Sequence, residues 1–384
     1  MTSHAAAPQE GGIIMAEKRF TTEDEMILAL QEMDATDIKS VNYIDEAKLS
    51  LITDESPALD VATVAAVFGI PETDDEAITD AIDGSGCIWR GPVNGNLRAV
   101  PVSEVAMTSL CGRAGLYGPS IKIKPTILNE GFVLHSRSEE NKTKTLIRNG
   151  SLLASHSNKY QWLPQGQLVE TNKTVFNDLF GDYEFRGGVY TDEITYAMYS
   201  FPGQANALTA QYNKLMKKTG NTEVVPAVRF STSDVTKSGA NLYPMMVKKG
   251  TNEQIRLGES IKLSHDQSHT VADYVDNAYK VLSLLQESEK KMIQLCSITL
   301  LYPENVFQNA VRKFTLPIGA SNKAYEDFCM RRGATVTAND LYWALSNVIA
   351  YMGDISAAKK MDIEEQLAKL IFADWKKLDT PILN

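Results

Sequence analysis

Cysteine is scarce in this chain: four in 384 residues (Cys87, Cys111, Cys296 and Cys329), with no Cys-x-x-Cys pair among them. Scattered single cysteines in a chain of this length read as buried thiols, not as a disulfide framework or a zinc site, so the expected compartment is a reducing cytoplasm. Histidine is nearly as rare, with five residues. His265 and His269 flank Asp266, but no third ligand stands at a suitable spacing, and a metal centre needs about three or four protein ligands. Neither a metal nor another cofactor is expected. Long apolar runs are missing as well. No stretch approaches the roughly 18 apolar residues that cross a bilayer, so no membrane partner is expected. The opening MTSHAAAPQEGGIIMAEKRF has no apolar signal-peptide core, and residues 1–20 are expected to form a disordered leader. Recognisable catalytic motifs are also absent. The glycines of Asp83–Asn96 (DGSGCIWRGPVNGN) do not follow Gly-x-Gly-x-x-Gly and no Walker lysine follows them. There is no Gly-x-Ser-x-Gly and no Cys–His signature, so no catalytic residue is nominated.

What is present is ordinary globular composition, 43% hydrophobic and 22% charged, with an uneven distribution of charge. Residues 1–83 hold 19 acidic and 4 basic side chains, whereas the remainder holds 29 and 34. An acidic appendage beside a slightly basic body is a pattern associated with polyanion contact, and equally with a solvated acidic bundle. Residues 21–83 read as short helices, opened by the capping pair Thr22 and Glu25 and continuing through Val61–Phe68 and a third candidate from Glu72.

From about residue 97 to 300 the chain reads as an α+β core domain. Asn149–Gly150 between Thr143–Arg148 and Ser151–His156 predicts a hairpin with a two-residue type I′ turn. Further strands are expected at Asp192–Phe201 and across Val224–Leu263, with a bulge near Gly258. Gln167–Phe180 and Ala205–Lys218 have helical spacing. Thr270 with Asp273 caps a long helix whose Tyr274, Ala278, Val281, Leu282 and Leu285 form a packing stripe. Residues 301–384 are expected to be helical, with Thr337 and Asp340 capping one helix. The predicted fold class is α+β: a mostly antiparallel sheet with helices packed on one face, an acidic helical N-terminal segment and a helical C-terminal region.

Three segments carry a family resemblance: Leu146–Tyr160 (LIRNGSLLASHSNKY), Val228–Asp234 (VRFSTSD) and the strand-then-helix block Arg256–Tyr274. In order and spacing they resemble the phage and plasmid family known as domain of unknown function nine-three-two, over roughly residues 130–300. The resemblance implies a mobile-element origin and a role in replication, recombination or host conflict, and it brings no catalytic residue. The sheet-then-helix layout is also similar to that of phage single-strand annealing proteins.

Two basic sets are the candidate binding residues. Lys142, Lys144, Arg148 and Lys159 lie on or beside the Asn-Gly hairpin and are followed by Tyr160 and Trp162. Lys248, Lys249, Arg256 and Lys262 form a second set on adjacent predicted strands. A basic groove with aromatic faces is how single-stranded nucleic acid is commonly held, although lysine on an outer strand face also serves solvation and edge protection. The expected function is a non-enzymatic mobile-element protein that binds single-stranded DNA or RNA, with a homo-oligomer as a second expected partnership. The alternative is an assembly or host-interaction protein acting through protein–protein contacts of its acidic N-terminus.

Overall fold

The computed structural model describes residues 17–43, 48–51, 61–68, 70–74, 76–77, 87–113, 131, 134, 142–251, 253–353, 355 and 357–381. The expected leader up to residue 16, and most of the helix expected from Glu72, lie outside them. The chain divides into two compact units. One comprises residues 31–162 together with 1–17; the other comprises 18–30 and 163–384. The described part opens with strand β1 (Lys18–Phe20) and helix α1 (Glu23–Thr36). Glu25 N–H donates to Thr22 Oγ1 at 3.4 Å, the backbone half of the expected cap.

The first unit holds two three-stranded antiparallel sheets. Where short helices were expected over 21–83, α1 is followed by β2 (Ile38–Tyr43) and β3 (Lys48–Leu51), and only then by α2 (Val61–Phe68). Ile38-Lys-Ser-Val-Asn-Tyr carries its apolar residues at 38, 41 and 43 without a clean alternation, and its partner strand lies about 100 residues away, which hides it from local reading. β4 (Cys87–Val93) and β5 (Asn96–Pro101) join β3. Helix α3 (Glu104–Arg113) leads to the hairpin β6 (Lys142–Arg148) and β7 (Ser151–Ser157), which joins β2. Asn149 (φ 51°) and Gly150 (φ 77°) both occupy the left-handed region, as a type I′ turn requires. α3 packs on β7, where Ser155 N–H donates to Ser109 Oγ at 3.0 Å. Trp89, Val100, Leu110, Ile147 and Leu152 form the buried centre of this unit.

The second unit is α+β, a seven-stranded antiparallel sheet with helices. After α4 (Gln165–Phe180), strand β8 (Glu184–Tyr190) pairs with both β1 and β9 (Thr195–Ser200). The expected helix over 205–218 is split into α5 (Ala205–Leu208) and α6 (Ala210–Lys218). β10 (Val224–Thr232) and β11 (Ala240–Lys248) are the central strands. Every residue of β10 is buried, because both faces of the sheet are covered there. The expected strand through Leu263 divides at Gly258 (φ 52°) into β12 (Gln254–Arg256) and β13 (Ile261–Leu263), both paired with β11. The long helix after Thr270 likewise divides, into α7 (Val271–Ala278) and α8 (Val281–Cys296). Both expected capping boxes form, Thr270 with Asp273 and Thr337 with Asp340.

The C-terminal region contributes α9 (Pro303–Lys313), α10 (Ile318–Arg331), α11 (Ala338–Ser346), α12 (Ala357–Ala368) and α13 (Trp375–Leu378). Met246, Met292, Phe307, Leu341, Leu367 and Trp375 join these helices to one sheet face in a single apolar core. Met361 of α12 packs instead with Met198, Tyr243 and Met245 on the opposite face. Among the described residues no helix is long and apolar enough to cross a membrane.

Candidate nucleic-acid interface

Pleating separates the residues of the β2–β6–β7 sheet into two sets. Ser40 and Thr145 hydrogen-bond at 2.5 Å on one face, which also carries Ile147 and Leu152 into the unit's core. The other face receives the alternate positions: Lys39, Val41 and Tyr43 of β2, which register with Leu146, Lys144 and Lys142 of β6. β6 shows the alternation directly, with Lys142 and Lys144 half-buried and Thr143 and Thr145 buried. His156 of β7 pairs opposite Lys144 and so belongs to the same face.

The aromatic side chains collect on that face. Tyr160 is buried and stacks flat on His156, ring centroids 3.7 Å apart, and Trp162 meets both rings edge-on, 4.8 Å from Tyr160. Lys144 Nζ donates to the Tyr160 carbonyl at 2.5 Å, fixing the chain after β7 to β6. Lys39 lies over the Trp162 ring at 5.6 Å and Lys142 over Tyr43 at 5.3 Å. At both distances the ammonium itself lies over the ring face, and the Lys39 ammonium is also 3.8 Å from Asp37 and 4.0 Å from Asp34. Val41 and Tyr43 are exposed, at 55% and 42%. Lys159 is exposed in the turn after β7 and takes part in no ion pair among the described residues.

Arg148 has a different environment. Its guanidinium makes a two-pronged bond to Asp37, Nε to Oδ1 at 2.8 Å and Nη2 to Oδ2 at 2.6 Å, with both side chains almost fully buried. This forked geometry is the strong form of the arginine–carboxylate pair. It neutralises Asp37, which is also 3.8 Å from Lys39 Nζ. Arg148 therefore acts on the face through Asp37, and its own charge is not presented to solvent.

The second basic set belongs to the second unit, and each member faces a carboxylate. Lys248 is paired with Glu253 and lies 4.7 Å over the Trp343 ring. Lys249 bonds Glu223 at 2.9 Å, and Lys217 shares that carboxylate at 2.7 Å. Arg256 is buried on the Tyr243 ring, 3.8 Å from its centroid, and is 3.3 Å from Glu365, which also binds Lys262. Burial of Glu365 favours its neutral form, but Lys262 and Arg256 outweigh it and hold the carboxyl below its ordinary value. Burial pulls the Arg256 guanidinium down from its own. His265 sits with Nε2 3.2 Å from Thr232 Oγ1, and His269 Nδ1 is 3.0 Å from the Ser264 carbonyl. No cluster of metal-ligating side chains occurs among the described residues.

Of the sequence-nominated residues, then, Lys142, Lys144, Tyr160 and Trp162 share one sheet face, Lys159 borders it, and Arg148 supports it from within. Lys39, Tyr43 and His156 join that face without having been nominated. No clean alternation in IKSVNY marked the first two, because Ile38 falls out of phase with Val41 and Tyr43.

No protein-family model, curated protein or solved structure matches this chain. The resemblance to a phage and plasmid family therefore rests on the three quoted segments alone.

Proposed function

We propose that the protein binds single-stranded nucleic acid on the β2–β6–β7 face of its first unit, with the lysines on the backbone phosphates and the rings under the bases. The observation that carries this reading is the convergence of Lys39, Lys142 and Lys144 with Tyr43 and Trp162 on one sheet face. Phosphates need positive charge within reach, and bases need an aromatic face on which to stack. Tyr43 is 42% exposed, and the half-buried Trp162 is braced by the Tyr160–His156 stack. The proposed contacts, lysine to phosphate and ring to base, do not depend on base sequence. A role in annealing or protecting single strands on a mobile element is the setting that the family resemblance implies.

The test is fluorescence anisotropy of labelled oligo-dT and oligo-A RNA with the full chain across a salt series. Binding at low salt should fall linearly in log–log form, and three phosphate contacts give a slope near −2, at roughly 0.7 per contact for single strands. Tyr43→Ala should weaken binding by about 1–3 kcal/mol, the worth of one stacked base. Absence of binding to either oligomer at low salt would end this reading.

A further inference from the structure

A repeat runs along the β2–β6–β7 face. Lys39, Val41 and Tyr43 are alternate residues of β2, in register with Leu146, Lys144 and Lys142 of β6. Each β2 position is thereby matched with one cation and one apolar surface. At one end Lys39 lies over the half-buried Trp162 ring. In the middle the exposed Val41 stands opposite Lys144. At the other end the exposed Tyr43 stands opposite Lys142, whose ammonium is 5.3 Å from the ring centre. Lys144 gives one of its N–H donors to the Tyr160 carbonyl and keeps the others. Lys39, with Asp37 at 3.8 Å and Asp34 at 4.0 Å, is the weakest of the cations for a phosphate. β2 is an edge strand of its sheet, so this row is not flanked by a further strand.

The spacing of the repeat selects a strand conformation. Alternate residues of an antiparallel strand are about 6.8 Å apart, two rises of about 3.4 Å. Successive nucleotides within a duplex strand are only about 3.4 Å apart, each base stacked on the next. A nucleic-acid strand that keeps step with β2 therefore stretches to about twice its stacked rise. Its bases part from one another, and each meets a protein surface in place of its neighbour. A duplex cannot do this without unstacking both of its strands.

Strands differ in what that stretching costs. Adenine-rich strands stack strongly on themselves and resist it; pyrimidine-rich strands stack weakly and yield. Preferences of this kind come from stacking strength and backbone flexibility, with no base edge read. We propose that this face holds a stretched run of three nucleotides and so selects weakly self-stacked, pyrimidine-rich single strands over adenine-rich strands and duplexes. The outer two bases meet Trp162 and Tyr43, and the middle one packs on Val41. The inference rests on the nucleic-acid reading above and supplies its substrate class.

Competition against a labelled oligo-dT on the full chain at low salt tests it. Unlabelled oligo-dT should displace the probe roughly three- to tenfold better than oligo-dA of equal length, a modest preference set by strand stiffness. The ratio should narrow on warming, as oligo-dA unstacks, and a matched duplex should compete less well than oligo-dT. In a thymidylate length series the gain per nucleotide should be steep up to three and shallow beyond. Val41→Asp, at an exposed edge position, sets a like charge among the phosphates and should weaken oligo-dT roughly tenfold. Oligo-dA or duplex bound as tightly as oligo-dT, a ratio that warming leaves unchanged, no break at three nucleotides, or full affinity in Val41→Asp would overturn the inference and leave single-strand binding standing. If no strand binds at all, the reading beneath it falls and the inference with it.

Discussion

Arg148 and Asp37 stand opposite each other at the ends of β6 and β2, and their forked bond takes two full charges out of water. Such a pair adds little over an apolar pair of the same shape, yet breaking it strands a buried charge. Arg148→Ala should therefore destabilise the first unit by about 3–5 kcal/mol, while Arg148→Met with Asp37→Leu should recover most of that loss. Urea unfolding followed by Trp fluorescence reads both. Equal stability of the single variant and wild type would show that the pair does not form. Glu365 makes a second prediction at this scale. Its carboxyl is held below its ordinary value of 4.5 by Lys262 and Arg256, so the unfolded chain binds the extra proton. Its contribution is fully present above about pH 4.5 and fades as pH falls through the lower folded value. Glu365→Gln should flatten the acid limb of a thermal-stability profile below pH 4.5, and an unaltered limb would refute the pairing.

The elements show what local sequence can and cannot carry. The Asn149–Gly150 hairpin and the two capping boxes at Thr270 and Thr337 were legible because their chemistry is complete within four residues. Gly150 makes the point testable. A Cβ there would meet nothing within 4 Å, so Gly150→Ala should cost only the left-handed strain of φ 77°, about 1 kcal/mol. A larger loss in thermal unfolding would mean that the turn has a tertiary role. Strand β2 was not legible, because its partner β6 lies about a hundred residues further along the chain. The helices over 205–218 and 271–296 were legible as helices but not as broken ones. The same distance problem hid the carboxylates that take up the second basic set. Nothing near Arg256 or Lys262 in sequence announces Glu365, and nothing near Lys249 marks Glu223 as shared with Lys217. Charge counted along a chain overstates the charge that a folded surface presents.

At the scale of the molecule, net charge is −10, so indiscriminate attraction to polyanions is not expected and the proposed binding requires a local field. The two basic sets fall in different compact units, which lets them be tested apart within one intact chain. The decisive measurement is oligo-dT anisotropy against salt for wild type, Lys142→Ala/Lys144→Ala and Lys248→Ala/Lys249→Ala. The hairpin pair should weaken binding at least tenfold and flatten the salt slope by about 1.4, at roughly 0.7 per lost phosphate contact. The Lys248/Lys249 variant should bind as wild type does, because those lysines answer Glu253 and Glu223. Equal losses in the two variants, or a loss confined to the second, would contradict the account.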